Sequence, residues 1–180
     1  MYNSTGLSFI ATMKIHGRSV IVESERLLTR SLPSVPTKLH FQFFSGHYMI
    51  SVVDGEYAGK DIDSPDSGYL QVSDSSNVFD LMSAESRVVT LNDFSEDVQY
   101  IYLRTIDWYR VQQEFAGEDA FDDQDVEYNF ILAVPRLDKK GNGTYLAMEE
   151  GAWRYRRLDA PDTTIYAPIE LTIEKRGVAR

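Results

Sequence analysis

Apolar and polar residues alternate in short runs along most of the chain. From Ser8 to Ile15, Phe9, Ala11, Met13 and Ile15 fall on one side of a pleat and Ser8, Ile10, Thr12 and Lys14 on the other. This period of two marks a strand with one face buried. Lys38 to Phe44 repeats the pattern, with Leu39, Phe41 and Phe43 set against His40, Gln42 and Phe44, and Ile169, Leu171 and Ile173 repeat it near the C-terminus. Between such runs stand turn formers: His16-Gly17, Ser45-Gly46, Asp54-Gly55 and Asn142-Gly143. Asn-Gly and Asp-Gly supply the positive φ angles of tight hairpins.

Read this way, strands are expected at 8–15, 19–23, 38–44, 47–53, 69–73, 78–82, 87–91, 97–109, 128–134, 144–148, 152–158 and 165–174. The stretch 26–30 reads equally as a strand or a helical turn. Pro135 is expected to end the strand before it, and 57–68 is expected to be a polar loop. About twelve short antiparallel strands with turns every few residues predict one all-β domain spanning 1–180, a closed barrel or a sandwich. The leading specific arrangement is a β-trefoil, because twelve strands divide into three cycles of four. A frayed tail is expected from about 175.

Composition sharpens this picture. Eleven Tyr, nine Phe and two Trp make 12% of the residues aromatic, a group that fits half-buried pleated surfaces. Net charge is −10, which repels phosphate backbones and argues against nucleic acid and anionic membrane surfaces as partners. The acidity is uneven: seven of the 28 acidic residues fall within 114–127, so 111–127 reads as an exposed acidic loop. Cysteine is absent, which excludes disulfides, thiolate metal sites and cysteine nucleophiles. No apolar run reaches the roughly 20 residues that span a bilayer, and no secretory signal pattern opens the chain. The expected location is therefore the cytoplasm, or release without a conventional signal peptide.

Few residue patterns suggest chemistry. Asp61, Asp63 and Asp66 form a D-x-D-x-x-D loop, the kind of oxygen cluster that calcium takes, although the glycine and closing glutamate of an EF-hand are missing. His40 and His47 flank a turn that would set them across a hairpin, while no H-x-H or H-E-x-x-H spacing supports zinc. Nucleophile elbows and glycine-rich phosphate loops are missing, so no catalytic residue is assigned. Trp108 with Asp107, and Trp153 with Tyr155, pair an aromatic ring with polar neighbours, the hardware of sugar stacking; core packing is the competing role.

Three function classes follow. The first is a non-catalytic binding module for carbohydrate or a protein surface. The second is an assembly subunit of a particle, filament or inclusion, for which a homo-oligomer is expected. The third is a hydrolase using carboxylates or a metal. The first ranks highest, and no cofactor beyond calcium is implied.

Overall fold

A computed structural model describes residues 4–30, 33–64, 69–85, 87–106, 130–137, 144–151 and 168–180, with 130–137 and 144–151 given by their backbone. Thirteen strands lie in these residues: β1 Phe9–Ile15, β2 Arg18–Glu23, β3 Arg26–Thr29, β4 Leu39–Phe44, β5 His47–Val52, β6 Asp61–Asp63, β7 Gln71–Ser73, β8 Val78–Met82, β9 Val88–Val89, β10 Val98–Ile106, β11 Phe130–Leu137, β12 Thr144–Gly151 and β13 Ile169–Arg176. Two single-turn 3-10 helices, Ser4–Leu7 and Leu91–Asp93, complete the described elements.

The first three hairpins share one local cause. Each turn has two central residues with positive φ: His16 and Gly17, Ser24 and Glu25, Ser45 and Gly46. Both angles positive is the tight turn whose twist matches that of paired strands. Glycine adopts it freely, so Gly17 and Gly46 suit their places. Ser24 and Glu25 lack that freedom, and neighbours hold their turn. The Glu25 N–H donates to the Tyr57 hydroxyl at 3.3 Å, and the Glu25 carbonyl accepts from Val72 N at 2.8 Å.

Every strand pairing is antiparallel, and the pairings close on themselves. One circuit runs through nine strands, β1-β2-β3-β7-β6-β5-β8-β10-β13 and back to β1. Strand β4 bonds to both β1 and β5. It crosses that circuit and leaves a tighter ring of six: β1, β4, β5, β8, β10 and β13. The protein is thus an all-β closed barrel with further strands attached.

The ring is filled from inside. Phe9 of β1 stacks on Phe41 of β4 at 4.7 Å and 3°. Tyr48 of β5 meets Phe9, Phe41 and Phe43 edge-on at 5.3 to 6.4 Å. Leu81, Leu103 and Leu171 bring β8, β10 and β13 into the same cluster. Aromatic contacts of this geometry add about 0.5–1.5 kcal/mol each beyond the area they bury. The buried Tyr48 hydroxyl is fully used: it accepts from Leu91 N at 3.0 Å and donates to the Leu7 carbonyl at 3.1 Å.

Several expectations need correction. The polar stretch 57–68 contains β6, because Ile62 is buried in the core, at 0% exposure, between two aspartates. Of the two readings open for 26–30, the structure takes the strand, over 26–29. Pro135 does not end its strand: β11 continues to Leu137 with Pro135 opposite Leu146. Beyond Leu132 the other edge of β11 has no pairing to β10, so the missing proline N–H breaks no ladder there. The tail expected to fray is fastened. Lys175 and Arg176 belong to β13, Gly177 N donates to the Ser8 carbonyl at 2.8 Å, and Arg180 Nη2 reaches Asp61 Oδ1 at 2.7 Å. The turn at Asn142-Gly143, the strand expected at 152–158 and the acidic loop at 111–127 lie outside the described residues.

Replacing Tyr48 with Phe tests the core. It leaves the Leu91 N–H buried without an acceptor, so unfolding in denaturant should show a loss of about 1–3 kcal/mol. Burial also pushes the Tyr48 hydroxyl from 10.0 up to about 12. A folded pKa above the unfolded one means that this stabilisation is complete below pH 10 and drains away as pH rises toward 12. The difference between wild type and Tyr48→Phe should therefore shrink over that window; a constant difference would exclude the hydroxyl as its source.

Candidate functional site

Of the candidate sites read from the sequence, the structure describes the aspartate loop in part and the two histidines in full. Asp107, Trp108, Trp153 and Tyr155 lie outside the described residues, as does Asp66. Asp61 and Asp63 stand on β6 with Ile62 between them, so both face away from the core. Each already has partners. Asp61 accepts from Arg180, and Asp63 accepts from Ser64 N at 2.8 Å and from the Ser75 hydroxyl at 3.2 Å. Among the described residues, no three His, Asp or Glu side chains converge to hold a metal ion.

The two histidines of the β4–β5 hairpin do not face each other. His40 lies opposite Ser51 and His47 opposite Phe44, because the register is set by the two-residue turn at Ser45-Gly46. His40 is buried, and its Nε2–H donates to the Val178 carbonyl at 2.9 Å. It helps to dock the C-terminal residues.

His47 belongs to a constellation that no motif in the sequence announces. Strand β8 is buried on both faces. Phe79 and Leu81 point into the core cluster, and Asp80 lies on the opposite face at 1% exposure. The register sets Asp80 beside His47 of β5 and opposite Arg104 of β10. His47 Nδ1 is 2.7 Å from Asp80 Oδ1, while Arg104 donates to Oδ2 through Nε at 3.1 Å and also through Nη2. A buried carboxylate is costly unless paired, and here both oxygens are engaged. An aspartate bound to a histidine is half of a nucleophile-activating relay. Among the described residues no serine or threonine hydroxyl bonds to the remaining His47 nitrogen. The row works as an ionic joint across three strands. Only geometry reveals it, since the three residues are 33 and 24 positions apart.

A second feature lies on the surface between β3 and β4. Residues Pro33 to Lys38 form an arm outside any strand. Thr37 N donates to the Val20 carbonyl at 3.0 Å, and Thr37 Oγ1 accepts from Val22 N at 2.9 Å, so the arm is bonded to β2. Pro33 and Pro36 fix their own φ near −65°, and Val35, which precedes Pro36, is confined to extended geometry. Val35 is 88% exposed. Beside it opens a groove of about 260 Å³ whose lining includes Val22, Pro36, Val52 and Tyr57, with Asp54 and Glu56 on the following turn. The one ammonium there is engaged: Lys38 Nζ is 3.0 Å from Glu174, whose hydrogen bond and charge raise the Lys38 pKa.

Comparison with known proteins returns no match: no family model, no curated protein and no solved structure resembles the chain. Among the described residues, no helix is long and apolar enough to cross a membrane.

Two aspartates separate a structural joint from a surface tie. Asp80→Asn removes the buried charge that Arg104 pairs with and that His47 hydrogen-bonds, and should cost about 3 kcal/mol in a denaturant melt. Asp61→Asn breaks the pair with Arg180, whose side chain is 43% exposed, and should cost less than about 1 kcal/mol. Equal losses would refute the role given to Asp80.

Proposed function

We propose that this protein is a non-catalytic binding module that recognises a protein surface, built as a β-trefoil. Support for the trefoil reading comes from strand order. The six ring strands fall into three consecutive pairs, β1 with β4, β5 with β8, and β10 with β13. Between the members of each pair lies one hairpin: β2–β3, β6–β7 and β11–β12. Further pairings join β3 to β7 and β3 to β12. Strand β9 is an addition to this scheme.

The observation that carries the functional reading is Val35. A single exposed valine is ordinary on a protein surface. This one stands on an arm held by two prolines and bonded to β2, at the rim of a partly apolar groove. Valine is stiff about χ1, and the arm is already extended, so ordering it on contact costs little. An apolar anchor fixed in advance is what the centre of a protein interface needs. The expected partner offers an apolar socket for Val35. Basic residues beside that socket would face Asp54 and Glu56, which line the same groove.

Val35→Asp tests this. At 88% exposure the change should move stability by no more than about 0.5 kcal/mol, so the variant folds and only recognition is at stake. Immobilised wild type and Val35→Asp should differ in the proteins they retain from the source cell, and the protein lost should bind purified wild type directly, with affinity falling as salt rises. Identical retention by both forms would reject the arm as the binding element.

A further inference from the structure

We propose that the outer wall of the barrel over β10 and β13 is a carbohydrate-stacking site centred on Tyr100. Register builds it. Tyr100 lies opposite Glu170, which lies opposite Lys14; one row along, Val98 lies opposite Thr172, which lies opposite Thr12. Residues in register across antiparallel strands share a face. Met13 and Leu171 between the two rows, and Ile101 next to Tyr100, are buried in the core, so Tyr100, Val98, Glu170, Thr172 and Lys14 face outward.

Tyr100 is 63% exposed and Val98 44%. A tyrosine ring so exposed on a sheet would ordinarily sample several rotamers. This one is tethered, because its hydroxyl donates to Glu170 Oε2 at 3.2 Å. The tether fixes a flat apolar surface in place before any ligand arrives. A pyranose presents a face of C–H groups that stacks on such a ring, with hydroxyls around its edge. Glu170 and Thr172 can accept those hydroxyl protons, and Thr172 and Lys14 can donate to the hydroxyl oxygens.

The size and charge of the patch select this ligand over others. A stable protein interface buries about 800 Å² on each partner, and two exposed apolar side chains fall well short of that. The charges of Lys14 and Glu170 offset each other within one row, so no anion is favoured. A neutral oligosaccharide of two or three sugars fits what is presented. The site is separate from the Val35 arm and does not depend on its role.

The test is a titration of ¹⁵N-labelled protein, followed by NMR, with cellotriose, chitotriose, maltotriose and galactobiose. At least one should shift the amides of Tyr100 and Glu170. Tyr100→Ala, which should melt with the wild type because the ring is exposed, should weaken that binding at least about fivefold. Tyr100→Phe keeps the ring and loses the tether, so it should fall between the two. The proposal is overturned if no sugar shifts these amides, if a sugar binds but Tyr100→Ala leaves its affinity unchanged, or if the Tyr100 amide responds only to protein concentration, which would make the patch a contact between copies of the chain.

Discussion

Tyr48 is where the separate parts of this barrel become one object. Its ring packs against Phe9, Phe41 and Phe43, joining β1, β4 and β5 from inside. Its hydroxyl then reaches past the ring to two backbone groups that no strand satisfies, the Leu7 carbonyl and the Leu91 N–H. A phenol buried in an apolar core is worth keeping only when both its donor and its acceptor capacity are used. Here one side chain sets the position of both 3-10 turns relative to the strands between them. The turn at 91–93 has its own lock, since Asp93 accepts from Thr90 N at 2.8 Å, but that lock is local. Tyr48 ties its backbone to the core, alongside the buried Leu91 side chain and the edge-on contact of Phe94 with Phe9.

The two sides of the barrel wall are held by different forces. On the inside the contacts are apolar and, apart from ring geometry and the two hydrogen bonds of Tyr48, non-directional. On the far side of β8 the joint is ionic, with Asp80 between His47 and Arg104. Ionic joints of this kind add little net stability over a good apolar fit, yet they penalise every alternative register. A slip of one residue would bury Asp80 against the aromatic core with no cation in reach. The joint therefore specifies how β5, β8 and β10 align, while the core supplies most of the energy that holds them together.

Much of the fold was legible in the sequence, and the reasons are specific. Phe9 to Ile15 and Leu39 to Phe44 announce themselves because each has a full inward row of apolar residues. The turns at His16-Gly17 and Ser45-Gly46 are legible because glycine marks positive φ. Ser24-Glu25 makes the same turn without glycine, so its residues gave no sign; Tyr57 and Val72, far along the chain, hold it. Strand β6 was hidden for the opposite reason, since a three-residue strand with one inward side chain has no period to read. The candidate chemistry was less legible. Aspartates close together in sequence drew attention to 61–66, whereas Asp80 matters through neighbours on two other strands. Val35 carries no sign in the sequence, because exposure is a property of the folded surface.

The pairing of β1 with β13 joins residues 9–15 to residues 169–176. Around it the Ser8 carbonyl accepts from Gly177 and Val178, and His40 binds the Val178 carbonyl. During synthesis from the N-terminus, β1 must wait for β13, more than 150 residues later. Until β13 leaves the ribosome, β1 and β10 each carry an open hydrogen-bonding edge, and the Phe9–Phe41 stack has no wall behind it. Such an interval exposes the chain to edge-to-edge association with other nascent chains. Translation speed between β10 and β13, and chaperones that cover strand edges, would then govern how much folded protein a cell obtains.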